Sequence, residues 1–162
     1  MNRRAILAEF EVNKEVGAAS SCLKMMANIY RPIPGWRPST PEIVADDFPS
    51  VAASHPALAI HSWEGWNGVD PPLDRNIQAI ARRFASRVHF VSSDIDRAEN
   101  WPLWDRCGAA NVPTVVLFKG EELQGLSVGL RKPEQLAAEI EKLIAKEPQS
   151  HVRRFWRRLC SS

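Results

Sequence analysis

The feature that most constrains the fold is the order in which short apolar runs and helical patterns alternate along the chain. The apolar runs predict buried strands, because each is short and is bounded by turn residues. These runs are 57–63 ("ALAIHSW"), 88–96, 114–118 and 122–129. The helical patterns lie at 71–87, 98–108 and 132–146. The order strand, helix, strand, helix, hairpin, helix predicts an α/β fold with a central sheet and helices on both of its faces.

Local signals mark where the predicted helices begin and end. Asp70 stands before Pro71-Pro72, and prolines suit a first helical turn, whose N–H groups lack partners. We therefore predict that Asp70 is the N-cap of the helix at 71–87. Gly108 is expected to end the second helix, because glycine readily adopts the left-handed conformation found there.

The two ends of the chain differ from this central part. Residues 12–30 have apolar side chains at helical spacing and predict an N-terminal helix, whose stripe either packs on the domain or binds a partner. Four prolines lie within residues 31–42, which predicts a linker or wrapping loop. The predicted organisation is therefore an N-terminal helix and linker at 1–37, a domain at 38–147 and a tail at 148–162.

Composition limits the broad class of the protein. The 162 residues suffice for one domain with extensions, and a net charge of +2 argues neither for nor against nucleic acid. The three cysteines are far apart in the sequence, which is typical of a reducing compartment rather than of a disulfide-built secreted fold. We expect a cytoplasmic protein without a signal peptide or a membrane span.

The stretch "SWEGWNGVDPPLD" (62–74) has the outline of an active-site loop between a strand and a helix. Together with "DID" at 94–96, "NVPTVVLFKGEEL" and the final helix, it resembles the thioredoxin family over about residues 42–145. The resemblance implies a thioredoxin-like three-layer sandwich, with a central mixed sheet flanked by helices. The extra N-terminal helix and the basic tail are additions to that fold.

The loop departs from the family at the positions that carry the chemistry. The family has Trp-Cys-Gly-Pro-Cys where this sequence has Trp66, Asn67, Gly68, Val69 and Asp70. A disulfide oxidoreductase needs a thiolate that attacks and a second thiol that resolves the mixed disulfide. An amide and a carboxylate do neither, so we expect no disulfide exchange at Asn67 and Asp70.

Other residues of this region have more than one interpretation. His61 stands where the family keeps a buried aspartate, and it is either a hydrogen-bonded core residue or an acid–base partner of Asp70. The resemblance further implies a cis Val112–Pro113 bond next to the loop. Main-chain pairing there would create a peptide-binding groove. Its predicted residues are Trp66, Gly68, Val69, Val112 and Pro113.

Cys107 precedes this proline and is a candidate for a lone reactive thiol, although a single cysteine is usually a passive apolar residue. The four histidines show no metal-ligand spacing, and the chain has no nucleotide fingerprint. The sequence therefore predicts neither a metal nor a cofactor.

The tail "HVRRFWRRLCSS" has four apolar residues at helical spacing. Its basic residues are Arg153, Arg154, Arg157 and Arg158. A basic amphipathic helix either docks on its own domain or contacts an anionic surface weakly. A scaffold tethered through this tail is thus one function class.

The preferred hypothesis is a redox-inactive, chaperone-like module that binds a peptide or protein partner through the loop. The alternative is a thioredoxin-family oxidoreductase that uses Cys107. The sequence leaves the oligomeric state open.

Overall fold

The computed structural model describes residues 31–108 and 111–145. The chain divides after Arg31 into two units, and everything below concerns the second, from Pro32 onward. The predicted helix at 12–30 and the tail at 148–162 lie outside the described residues.

A four-stranded mixed sheet forms the centre of this unit. Its strands are β1 (Leu58–Trp63), β2 (His89–Asp94), β3 (Thr114–Lys119) and β4 (Glu122–Val128). Their order across the sheet is β2-β1-β3-β4. β1 pairs with β2 in parallel and with β3 antiparallel, and β3 pairs antiparallel with β4. The four predicted strands are confirmed.

Four α-helices and two 3₁₀ turns complete the described part of the domain. The helices are α1 (Phe48–Ala53), α2 (Asp70–Phe84), α3 (Trp101–Cys107) and α4 (Pro133–Ala145). The 3₁₀ turns are Ala45–Asp47 and Ala98–Asn100. α3 ends at Gly108 in the left-handed conformation (φ 60°), as predicted. The sequence analysis missed α1 and the turn before it.

The helices cover both faces of the sheet, because neighbouring residues of each strand point to opposite sides. One apolar layer joins α2 and α4 to the sheet through side chains such as Leu73, Ile140 and Leu117. The other joins α1 and α3 to it through Phe48, Trp104 and their neighbours. The predicted three-layer α/β sandwich is therefore confirmed.

The proline-rich segment packs against the domain where β1 and β2 end. The Trp36 ring meets the Trp63 ring edge to face at 5.7 Å. Both the N–H and the hydroxyl of Ser39 donate to Asp74 near the start of α2. Residues 36–39 therefore wrap around the domain, one of the two alternatives that the prolines left open.

Candidate functional site

The loop between β1 and α2 contains the residues that the sequence analysis singled out. Two backbone turns shape it, from Asn67 N–H to the Glu64 carbonyl and from Asp70 N–H to the Asn67 carbonyl. The Asn67 side chain also accepts a hydrogen bond from Val69 N–H at 3.0 Å. An asparagine that bonds the backbone two residues on is a common turn former. Asn67 therefore shapes the loop rather than presenting a reactive group.

Exposure differs sharply between residues of this loop. Trp66 is 60% exposed, whereas Trp63 is fully buried in the domain. Gly68 and Val69 are buried, so they add little surface to the predicted groove. Trp66 is therefore the large apolar side chain that this loop offers to a ligand.

The cis peptide bond between Val112 and Pro113 lies at the same end of the sheet as the loop. Thr114 follows this bond and pairs with Ser62 in β1, and its N–H donates to the Ser62 hydroxyl at 3.0 Å. Gly129 N–H donates to the Pro113 carbonyl at 2.7 Å. Val112 is partly exposed and Pro113 is buried. The part of this edge open to a ligand therefore centres on Val112.

Asp70 is not the N-cap that the sequence analysis predicted. Val69 holds that position, without a side-chain cap bond, and Asp70 is the first residue of α2. Its fully buried carboxylate lies 2.9 Å from His61 Nε2 and also accepts the Glu64 N–H at 3.3 Å. The carboxylate thus ties α2 to β1 and to the loop, which outweighs a local cap bond.

His61 is buried and hydrogen-bonded to Asp70, which agrees with its interpretation as a hydrogen-bonded core residue. Its Nδ1 atom is buried and has no hydrogen-bond partner among the described residues. The pair is closed to solvent on both sides, with the two side chains 1% and 0% exposed. A buried histidine–carboxylate pair without access to a substrate serves the structure of the loop.

Cys107, the candidate lone thiol, lies at the end of α3 in the apolar layer with Phe48, Leu103 and Trp104. It is 4% exposed, and burial raises its pKa to about 11. The thiolate is the reactive form of cysteine, and reactive cysteines have lowered pKa values and partial exposure. These properties disfavour Cys107 as a reactive group.

Three carboxyl groups at the ends of β1 and β2 were not predicted as a site. Trp63 pairs with Asp94 across the parallel strands, and Ile95 N–H donates to the Trp63 carbonyl at 3.1 Å. This register places Glu64 beside Asp94 and Asp96, and the three are named the acidic end below. The carboxyl ends of parallel strands meet at one edge of a sheet. The aspartates of "DID" at the end of one predicted strand could therefore have been expected near Glu64 at the end of the other.

Glu64 is the unusual member of the acidic end. It is 7% exposed, and its Oε2 atom has no hydrogen-bond partner among the described residues. Burial raises its pKa from the ordinary 4.5 to about 7, and the negative charges of Asp96, Asp70 and Asp94 act in the same direction. At neutral pH a carboxyl group with this pKa is therefore partly protonated.

Arg37 lies next to the acidic end. Its guanidinium is centred 4.8 Å over the Trp63 ring, and its Nη1 atom is 3.5 Å from Asp94 Oδ2. The Arg37 side chain is 65% exposed, so its guanidinium approaches Asp94 from the solvent side.

In the part of the chain that the structure describes, no three His, Cys, Asp or Glu side chains are placed to hold a metal ion. His55 and His89 stack ring on ring at 4.0 Å, so they meet through faces rather than nitrogens. None of the described helices is both long and apolar enough to span a bilayer.

Known proteins resemble this chain at modest identity. A thioredoxin of Allochromatium vinosum is 30% identical over 88 residues, which cover 54% of this chain and 80% of that protein. A thioredoxin of Rickettsia conorii is 26% identical over 103 residues, or 64% of this chain and 89% of its own length. The match to chloroplastic thioredoxin M4 of Arabidopsis thaliana is 27% identical and spans 59% of this chain but only 49% of that protein. No family model matches the chain.

Solved structures agree with these relatives. Oxidised mitochondrial thioredoxin 3 of Saccharomyces cerevisiae superposes with a TM-score of 0.57 at 23% identity, covering 64% of this chain and 95% of its own. At that identity the likeness concerns the fold alone.

Proposed function

Because this chain belongs to the thioredoxin family, we propose that it is a redox-inactive member that binds a peptide or protein segment, as a chaperone-like module does. The ligand contacts the Trp66 side chain and pairs with the main chain at the cis-proline edge around Val112.

The observation that carries the proposal is the exposed Trp66 on a loop fixed by hydrogen bonds. Its neighbours Asn67 and Asp70 are held by backbone turns, and Gly68 and Val69 are buried. A large aromatic side chain on a rigid support loses little conformational freedom when it binds, and tryptophan is enriched among the residues that dominate binding interfaces.

The chemistry of the loop supports binding over exchange. Neither the Asn67 amide nor the Asp70 carboxylate can attack or release a disulfide sulfur. The buried Cys107 thiol, with its raised pKa, gives the alternative oxidoreductase no support. We therefore propose no disulfide oxidoreductase activity and no bound cofactor.

Two further expectations belong to this proposal. The sparse cysteines favour a reducing compartment, so the proposed location is the cytoplasm. The four tail arginines at 153, 154, 157 and 158 favour a weak, salt-sensitive contact with an anionic surface.

Selection from a random peptide library displayed on phage tests the proposed function. Wild type, Trp66→Ala and Trp101→Ala would be compared, because Trp101 is 58% exposed and matches Trp66 in type and exposure. We expect wild type and Trp101→Ala to enrich the same peptides and Trp66→Ala to lose them. Absence of enrichment by wild type, or equal enrichment by all three proteins, would contradict the proposal.

A further inference from the structure

The acidic end adjoins the loop that carries Trp66. Glu64 directly follows the last residue of β1, and Asp94 is the last residue of β2. Trp66 lies two residues beyond Glu64, so their Cα atoms are at most about 7 Å apart, within reach of one bound segment. The charge of this part of the surface therefore bears on which ligand it accepts.

Glu64 keeps a carboxyl oxygen buried without a hydrogen-bond partner among the described residues. Such a group destabilises the free protein, because it has lost water and has gained nothing in return. Unpartnered buried polar groups are rare, and each calls for an explanation. A positive charge that a ligand brings to the exposed Asp96 would act on this carboxyl group through space, without contact with its buried oxygen.

Arg37 shows which chemistry the surroundings of Glu64 accept. Its guanidinium stacks on the Trp63 ring and approaches the Asp94 carboxylate, the two contacts by which proteins bind arginine. Arg97, the other cation of this region, pairs with Glu42 and Glu99 instead. Among the described residues, Arg37 therefore pairs with Asp94 alone, while the charges that act on Glu64 are all negative, which leaves negative charge for a second cation.

We propose that the segment bound at Trp66 is basic and that one of its arginine side chains occupies the acidic end formed by Glu64, Asp94 and Asp96. This inference rests on the proposed function, because it names the class of ligand that the same site selects. Arginine is preferred to lysine, since its planar guanidinium can stack and can bond two oxygens at once.

The arrangement couples binding to the proton on Glu64. A guanidinium close to the carboxyl group favours its ionised form, so binding releases a proton near neutral pH. The affinity for the arginine peptide therefore rises with pH between about 6 and 8, and it falls with added salt. The charged groups that act on Glu64 are Asp96 after β2, Asp70 on α2 and Asp94 at the end of β2, and Arg37 pairs with Asp94.

The phage selection tests this inference when it also includes Asp96→Asn, Glu64→Gln and the control Glu134→Gln. Asp96 is exposed, so its variant tests the site without disturbing the core, and Glu134 is an exposed glutamate in the first turn of α4. We expect arginine to be enriched among peptides selected by wild type and by Glu134→Gln. That enrichment should weaken with Asp96→Asn and with Glu64→Gln.

Calorimetric titration then compares one synthetic selected peptide with the same peptide carrying citrulline, the uncharged analogue of arginine. We expect at least about tenfold weaker binding of the citrulline peptide, since hydrogen bonds to charged groups contribute that much or more. Equal affinities, or Trp66-dependent enrichment without arginine, would overturn the inference and leave the proposed function standing. Failure of wild type to enrich any peptide would overturn both.

Discussion

Glu64 and Asp70 are buried carboxyl groups six residues apart, at the two ends of the loop between β1 and α2. Their hydrogen-bond partners differ. Asp70 bonds to the His61 ring and to a backbone N–H. Glu64 leaves one oxygen without a partner. The first group holds β1 and α2 together, whereas the second destabilises the protein that contains it. Burial alone therefore does not tell a structural carboxylate from one that is suited to a ligand; the hydrogen-bond partners do.

The largest expected effect comes from removing the partnered carboxylate. Asp70→Ala leaves His61 Nε2 and the Glu64 N–H without their acceptor, so the free energy of unfolding should fall by about 3 kcal/mol. Urea denaturation followed by circular dichroism measures this loss. Asp105→Ala, an exposed position on α3, is the matched control and should change stability by less than about 0.5 kcal/mol. If Asp70→Ala and Asp105→Ala had equal effects, the partners of Asp70 would contribute no stability, and Asp70 could not be distinguished from Glu64 as a structural carboxylate.

Glu64→Gln should raise the free energy of unfolding at neutral pH, whereas Asp70→Ala lowers it. The folded-state pKa of about 7 exceeds the ordinary 4.5, so the folded protein holds this proton more tightly than the unfolded chain does. The ionised Glu64 side chain destabilises the folded protein. This effect is absent below pH 4.5, grows as the pH rises to 7, and is then constant. Glutamine cannot ionise and should therefore stabilise the protein above pH 7, by roughly 2–3 kcal/mol.

Unfolding of wild type and Glu64→Gln at pH 4, 5.5, 7 and 8 tests this expectation. The difference between the two proteins isolates Glu64 from the other titrating groups. A difference that stays constant with pH would show that Glu64 already has a satisfying partner.

Arg37→Gln should have the smallest effect on stability. In its ion pair with Asp94 the Arg37 side chain is 65% exposed, and pairs screened by solvent in this way contribute between about 0 and 1 kcal/mol. The loss of its charge should also raise the pKa of Asp94, because Arg37 is the cation that lowers it. Carboxyl-selective NMR titration measures this change. An unaltered Asp94 titration would mean that Arg37 does not face the acidic end in solution.

Sequence patterns predicted most of the described fold because its strands and longer helices carry strong local signals. The apolar run ending at Trp63 and the helical stripe of α2 could be placed from periodicity alone. By contrast, α1 has only six residues and no repeated apolar spacing, so its pattern could not be told from a loop. Tertiary contacts with the sheet determine that helix.

The candidate site was predicted less completely, for a related reason. The exposure of Trp66 follows from its place on a loop. The orientation of Asp70 depends on His61 across from it on β1, and a local signal such as Asp-Pro-Pro favours a cap. The acidic end depends on the parallel register of Trp63 with Asp94. Long-range pairing creates both features, and spacing within the sequence does not show it.

We propose above all that this thioredoxin fold holds a ligand and does not exchange disulfides. Reduction of insulin by dithiothreitol, followed by turbidity, tests that claim directly, with a variant in which Cys22, Cys107 and Cys160 are all serine as the control. We predict that wild type and this variant leave the rate at that of dithiothreitol alone. A wild-type rate above that background, lost with Cys107→Ser, would contradict the claim.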